Sequence, residues 1–178
     1  MENSIEIRLA TPDDSETLAR IMIAAWHSAF RGILSDDTIE QYTQFEPCAA
    51  MFSQILESGI GTMYLAELDS QPMGLLYWLP ESQEDVRIEA LLTIPKAWGK
   101  GIGAALMEQV LLDAKAAGYS TVHVWPFSEN HRAKHFYEKF GFQATGRTRM
   151  GDALELEYVI FLSYAETGLP RRPAASSQ

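Results

Sequence analysis

One cysteine, Cys48, in 178 residues excludes an intramolecular disulfide framework and any metal cluster built on several thiolates. A reducing compartment is the simpler reading. No apolar run approaches the ~20 residues of a membrane span, and Met1 to Glu6 carries neither the basic nor the apolar region of a secretory leader. The expectation is a cytoplasmic protein with no membrane partner. Basic residues are also scarce, 14 Lys and Arg against 24 Asp and Glu, and the formal net charge of −10 argues against nucleic acid as a partner. Apolar material is not lacking: 47% hydrophobic and 21% charged residues suffice for a core without staples, and the length fits one domain.

The charge is unevenly spread. Residues 1–90 hold 16 acidic and 4 basic side chains, whereas residues 91–178 hold 8 and 10. The acidic half is suited to attract a cation and the other half to hold an anion.

Hydrophobic periodicity divides the chain into alternating elements. Ile5–Ala10 reads as a strand, and Thr11-Pro12-Asp13-Asp14 then supplies a cap, a proline at the first helical position and an acid two residues on. Leu18, Ile21, Met22, Ala25 and Ala29 predict a helix to about Phe30, with shorter helices near 37–42 and 47–57. The period changes at Thr62–Leu68 and Met73–Leu79, which read as a hairpin turned at Asp69-Ser70-Gln71. A strand at Val86–Ile94, a helix at Ile102–Ala117, a strand at Thr121–Phe127, a helix at Asn130–Phe140 and strands at Phe142–Met150 and Leu154–Leu162 follow. This order predicts an α/β (α+β) domain, a mixed sheet with helices on its faces, in which 86–94 and 121–127 are parallel neighbours through a right-handed crossover. The polar, proline-containing stretch 165–178 reads as a loosely held tail after a domain of residues 1–164.

Two segments have the composition of a site. Gly99-Lys100-Gly101-Ile102-Gly103-Ala104 lies between a strand and a helix, so its glycines expose backbone N–H groups where a helix N-terminus adds positive potential. It outlines a phosphate cradle. The Gly-Lys-Ser/Thr ending of a P-loop is absent, and Trp125-Pro126-Phe127 offers no acid for the ribose of a dinucleotide. Further on, Asn130, Ala133 and Tyr137 share a helix face. His131 and His135 are four apart, but Arg132 stands where a zinc-protease helix has glutamate, and no metal site is expected.

Gly101-Ile102-Gly103-Ala104 taken with Asn130, Ala133, Phe136-Tyr137 and Gly141-Phe142 resembles the motifs of the GNAT superfamily of acyl-CoA-dependent N-acetyltransferases. The element order agrees from Ile5 to Leu162. The resemblance implies a sheet of about seven strands with four or five helices, and acetyl-CoA as cosubstrate. It further implies that Leu92, Thr93 and Ile94 pair with the pantetheine arm, that Gly99, Lys100, Gly101, Ile102, Gly103 and Ala104 hold the pyrophosphate, and that Asn130, Ala133 and Tyr137 flank the thioester. By the same analogy Trp26 and Phe30 wall the acceptor site, and an exposed sheet edge offers a surface for a homodimer. Two positions depart from the pattern: Trp98 stands at a Gln/Arg position, and Arg87 stands where many members carry a basic glutamate.

The chemistry of such a transfer asks for two proton movements. A protonated amine must lose a proton before it attacks, and the departing thiolate, with a free pKa of ~8.5, leaves more readily when protonated. Tyr137 suits the second task. Backbone N–H groups near Ile94 are candidates to hold the oxyanion, and Glu89, two residues beyond Arg87 on the same strand face, is the candidate base. The reading is an N-acetyltransferase acting on a cationic primary amine of a small molecule or peptide. A non-catalytic acyl-CoA-binding or sensing module is the alternative, supported by the missing glutamate.

Overall fold

The computed structural model describes residues 4–162, so the expected tail at 165–178 lies outside the described residues. Seven strands form one sheet: β1 (Ile5–Leu9), β2 (Thr62–Leu68), β3 (Gln71–Pro80), β4 (Asp85–Thr93), β5 (Thr121–Val124), β6 (Gln143–Met150) and β7 (Leu154–Phe161). Their spatial order is β1-β2-β3-β4-β5-β7-β6, with β4 and β5 parallel and every other neighbouring pair antiparallel. Five α-helices accompany them: α1 (Ser15–Ala29), α2 (Asp36–Tyr42), α3 (Phe45–Ser58), α4 (Ile102–Ala116) and α5 (His131–Lys139). The predicted fold class and the parallel crossover are observed.

Two apolar layers sandwich the sheet. On one face Leu18, Ile21 and Met22 of α1 and Cys48 and Phe52 of α3 pack on Met63, Leu65 and Leu75. On the other, Ile102, Leu106, Met107 and Val110 of α4 and Tyr137 of α5 pack on Leu76, Val86, Ile88 and Val122. Leu65, Leu75, Leu76, Leu106 and Val110 are wholly buried, so successive residues of β3 alternate between the two layers as a pleated strand requires.

Several boundaries moved. The first helix is preceded by a 3-10 turn at Pro12–Asp14, in which the Asp14 carboxylate accepts from the Thr11 N–H at 2.8 Å. The same carboxylate accepts two bonds from the Arg8 guanidinium, both at 2.9 Å, and its pKa is lowered to about 2 chiefly by that pairing. A depressed carboxylate stabilises the fold fully above its ordinary pKa and loses that contribution as pH falls through the folded value. Unfolding curves between pH 4 and pH 2 are therefore expected to converge for wild type and Asp14→Asn. Above that window the wild type is more stable by on the order of 1 kcal/mol, a figure reduced for the solvent screening of the part-exposed Arg8.

Strand β5 stops at Val124, three residues short of the expected Phe127, because Pro126 has no N–H to continue a ladder. Only Asp85–Ile88 of β4 is paired with β5. From Glu89 to Thr93, β4 has no strand on that side among the described residues, and the two parallel strands part. A bulge accompanies the split: Trp78 pairs with Ile88 and Tyr77 with Ala90, leaving Glu89 as the extra residue. Val86 and Ile88 face the α4 layer, but beyond the bulge it is Ala90 and Leu92 that face the α1 layer. Simple alternation, which puts Glu89 and Thr93 on one face, does not survive this extra residue.

Candidate active site

The parting of β4 from β5 opens a cleft of about 850 Å³. Its floor is β4 from Arg87 to Thr93, one side is the glycine turn with α5, and the other is α1 and α3 with the ends of β3, β6 and β7.

The glycine turn is built by a short chain of local bonds. Pro95 ends β4, a 3-10 turn follows at Pro95–Ala97, and Gly99 and Gly101 adopt φ of +74° and +82°, which favours glycine over any residue with a Cβ. Gly101 is the N-cap of α4, and no side chain caps that helix. The first helical bond runs from Ala105 N–H to Gly101 O at 3.0 Å, so the N–H groups of Ile102, Gly103 and Ala104 have no partner within the helix. Gly103 faces α5: a Cβ there would come within 3.4 Å of the Phe136 ring. The result is a concave set of backbone donors at a positive helix end.

Of the candidate cofactor-binding residues, Leu92, Thr93, Gly99, Gly101, Ile102, Gly103, Ala104, Asn130, Ala133 and Tyr137 all line the cleft. Ile94 and Lys100 do not. The Ile94 N–H is bonded to Met73 O at 3.0 Å and its side chain packs in both apolar layers. It is not the free backbone donor expected near that position. The Lys100 N–H is similarly engaged, with Ala97 O at 3.2 Å.

Asn130 caps α5, its Oδ1 accepting from Ala133 N–H at 3.1 Å, which fixes the side chain at the cleft edge. Tyr137 is 6% exposed, set between Phe136 and Phe142 with ring centroids 5.5 Å from each. Its hydroxyl has no hydrogen-bond partner among the described residues, and burial pushes the phenol above its ordinary pKa. It therefore stays protonated and keeps its donor available.

Glu89 lies on the cleft wall and is exposed. One carboxylate oxygen accepts from Arg87 Nε at 2.8 Å, while Arg87 Nη1 reaches Glu81 at 3.0 Å. Arg87 thus bridges two carboxylates. Trp26, on the last turn of α1, and Phe30, its C-cap, also line the cleft. Their rings meet edge to face at 5.1 Å, and Phe30 meets Phe127 at 5.1 Å in turn.

Sequence reading missed five contributors. Trp125 and Phe127 join the wall because β5 ends early, and Pro126 was the available signal. Arg132 stacks 3.6 Å from the Trp98 ring centroid, with no carboxylate at ion-pair distance among the described residues, and burial lowers its pKa. Arg149 and Glu155, paired across the β6–β7 hairpin, close the far end. No local pattern marks them.

Known proteins resemble this chain in sequence and in fold. Residues 21–142 match a family model described as the acetyltransferase (GNAT) family. A Mycobacterium tuberculosis protein named "Probable N-acetyltransferase Rv2775" is 28% identical over 82% of this chain and 84% of its own length. An uncharacterized N-acetyltransferase of Archaeoglobus fulgidus is 27% identical over 75% of this chain and 89% of its own. Among solved structures, the PaiA N-acetyltransferase of Thermoplasma acidophilum in complex with coenzyme A superposes with a TM-score of 0.73 at 23% identity, covering 86% of this chain and 98% of that one. The ribosomal-protein-S18-alanine N-acetyltransferase of Escherichia coli superposes with a TM-score of 0.66 at 16% identity, over 94% and 99%.

Proposed function

The chain belongs to the GNAT acetyltransferase family and is by that membership an acyltransferase; from this premise we propose that it moves an acetyl group from acetyl-CoA to a primary amine by direct attack in a ternary complex. One observation carries the reading: a single cleft joins uncapped helix donors at Gly101–Ala104, an unpaired strand edge at Glu89–Thr93 and the partnerless hydroxyl of Tyr137. Donors fit the pyrophosphate, the strand edge fits the amide-bearing pantetheine arm, and the hydroxyl fits the sulfur.

Acetyl-CoA supplies an activated acyl group, and the residues do the rest. Ile102, Gly103 and Ala104 present N–H groups to the phosphates. The open edge of β4 extends its ladder onto the arm, as an added strand would. The Asn130 side chain lines the cleft, and its cap bond engages the oxygen and leaves the amide N–H donors to the arm. The amine nitrogen bonds to the carbonyl carbon as the carbon–sulfur bond breaks, the amine's proton passes to a base, and Tyr137 donates to the departing sulfur. No covalent adduct with the chain is involved, and Cys48, buried with its thiol on Tyr42 O, takes no part.

Glu89 is proposed as the base, directly or through a water, with Arg87 holding it in place. Glu89→Gln is expected to lower kcat/KM by ~10²-fold with acetyl-CoA affinity unchanged, on the usual scale of general base catalysis. If kcat/KM survives, Glu89 serves only its ion pair with Arg87. The reading as a whole is checked by acetyl-CoA calorimetry together with thiol release against an amine panel. Binding without release from any amine supports a non-catalytic acyl-CoA module.

A further inference from the structure

Resting on the acetyltransfer reading, we propose that the acceptor is a small monoamine with an aromatic or bulky apolar body and no carboxylate, rather than a polyamine, an aminoglycoside or an amino acid. Most of the acidic side chains in the first half of the chain lie away from the lining of the cleft. Of the acidic residues before position 91, Glu89 alone lines it, joined from the second half by Asp152 and Glu155. Glu89 is paired with Arg87 and Glu155 with Arg149, which leaves Asp152 as the unpaired carboxylate of that wall among the described residues. Because Arg87 is shared by Glu81 and Glu89, that trio keeps one net negative charge beside Asp152, enough for a single ammonium group and too little for a polycation. A polycation carried into this cleft would leave most of its ammonium groups desolvated and unpaired.

The cations on the acceptor side exclude the opposite partner. Arg87 is held between Glu81 at 3.0 Å and Glu89 at 2.8 Å, and Arg149 is paired with Glu155 and stacked over Trp125 at 4.6 Å. Arg132 is stacked on Trp98 beside the glycine turn, at the end assigned to the phosphates. A carboxylate next to the acceptor amine would therefore find no free cation on its side among the described residues.

What remains there is apolar. Trp26, Phe30 and Phe127 form a continuous run of edge-to-face rings at 5.1 Å steps, and Tyr42 extends it from Trp26 at 5.6 Å. Met22, Met51 and Ile55 line the cleft beside these rings. Rings locked by one another lose little freedom when a flat or branched body packs on them, methionines adapt to its outline, and ring faces attract the ammonium itself.

The test compares 2-phenylethylamine, spermidine, kanamycin, phenylalanine and an alanyl peptide by thiol release at saturating acetyl-CoA, with acetyl-CoA affinity measured separately by calorimetry. A kcat/KM for 2-phenylethylamine at least tenfold above each of the others is expected. Calorimetric binding of 2-phenylethylamine to the CoA-loaded protein is expected as well, weakened about tenfold by Phe30→Ala with CoA affinity intact. Should that variant fail to fold, Phe30→Leu keeps the bulk, removes the ring and is expected to weaken the amine several-fold. A preference for spermidine, kanamycin, phenylalanine or the peptide with acetyl-CoA binding intact overturns the acceptor class and spares the acetyltransfer reading. Failure to bind acetyl-CoA overturns both.

Discussion

Tyr137→Phe is expected to lower kcat by about 10²-fold while changing acetyl-CoA affinity by less than a factor of about two, the pattern of a group that acts as the transition state forms. The hydroxyl stands without a partner among the described residues, so its removal leaves no donor or acceptor orphaned and the fold is expected to keep its stability. The ring stays in its place between Phe136 and Phe142. Because burial raises the phenol's pKa, it is a weaker acid than a free thiol, and full proton transfer to a solvated thiolate of pKa ~8.5 would run uphill. The useful act is donation of a hydrogen bond to sulfur as charge develops, in a site where the thiolate is itself desolvated and its proton affinity raised. The wild-type kcat is accordingly expected to show no fall from loss of this proton up to about pH 10. A Phe variant within a factor of two of wild type, with chemistry shown to limit the rate, makes Tyr137 a packing residue.

The parts of this site that could be read in the sequence are those whose geometry is local. Gly99 and Gly101 sit between a strand and a helix with Gly103 in the first turn of that helix, and the turn between those elements has few ways to place its N–H groups. Asn130, Ala133 and Tyr137 share a face at the helical period whatever surrounds them. The bulge at Glu89 was not legible, because it depends on which residues of β3 lie across from it, Tyr77 and Trp78, and a one-residue slip leaves the local pattern of apolar residues unchanged. Ile94 shows the same limit in another form. N–H groups near Ile94 were candidates to hold the oxyanion, but the bond of the Ile94 N–H to Met73 O arises across the β3–β4 hairpin and only the folded sheet reveals it. The aromatic wall is likewise assembled from distant segments, Phe127 reaching Phe30 only once β5 has crossed over and ended.

Gly101→Val is expected to weaken acetyl-CoA binding at least tenfold, a loss of about 1.4 kcal/mol. At φ +82° a β-branched residue meets its own backbone, at a cost of roughly 1–2 kcal/mol unless the turn rotates away. Rotation turns the donors that follow Gly101, and strain without rotation sets an isopropyl group among them; either outcome spoils a concave set that works only with its N–H groups converging. Space itself is not the obstacle, since a Cβ at Gly101 would meet only the Ile5 side chain at 3.7 Å. The fold is expected to survive with a melting temperature lower by several degrees. Gly59→Val separates strain from site: Gly59 closes α3 at φ +65° with nothing within 4 Å of a Cβ, and it does not line the large cleft. It imposes a comparable backbone penalty away from the donors. Its melting temperature is expected to fall to a similar degree while acetyl-CoA affinity stays at the wild-type value. Wild-type affinity in Gly101→Val as well would mean that the phosphates are held by side chains such as Arg132 and not by the helix donors.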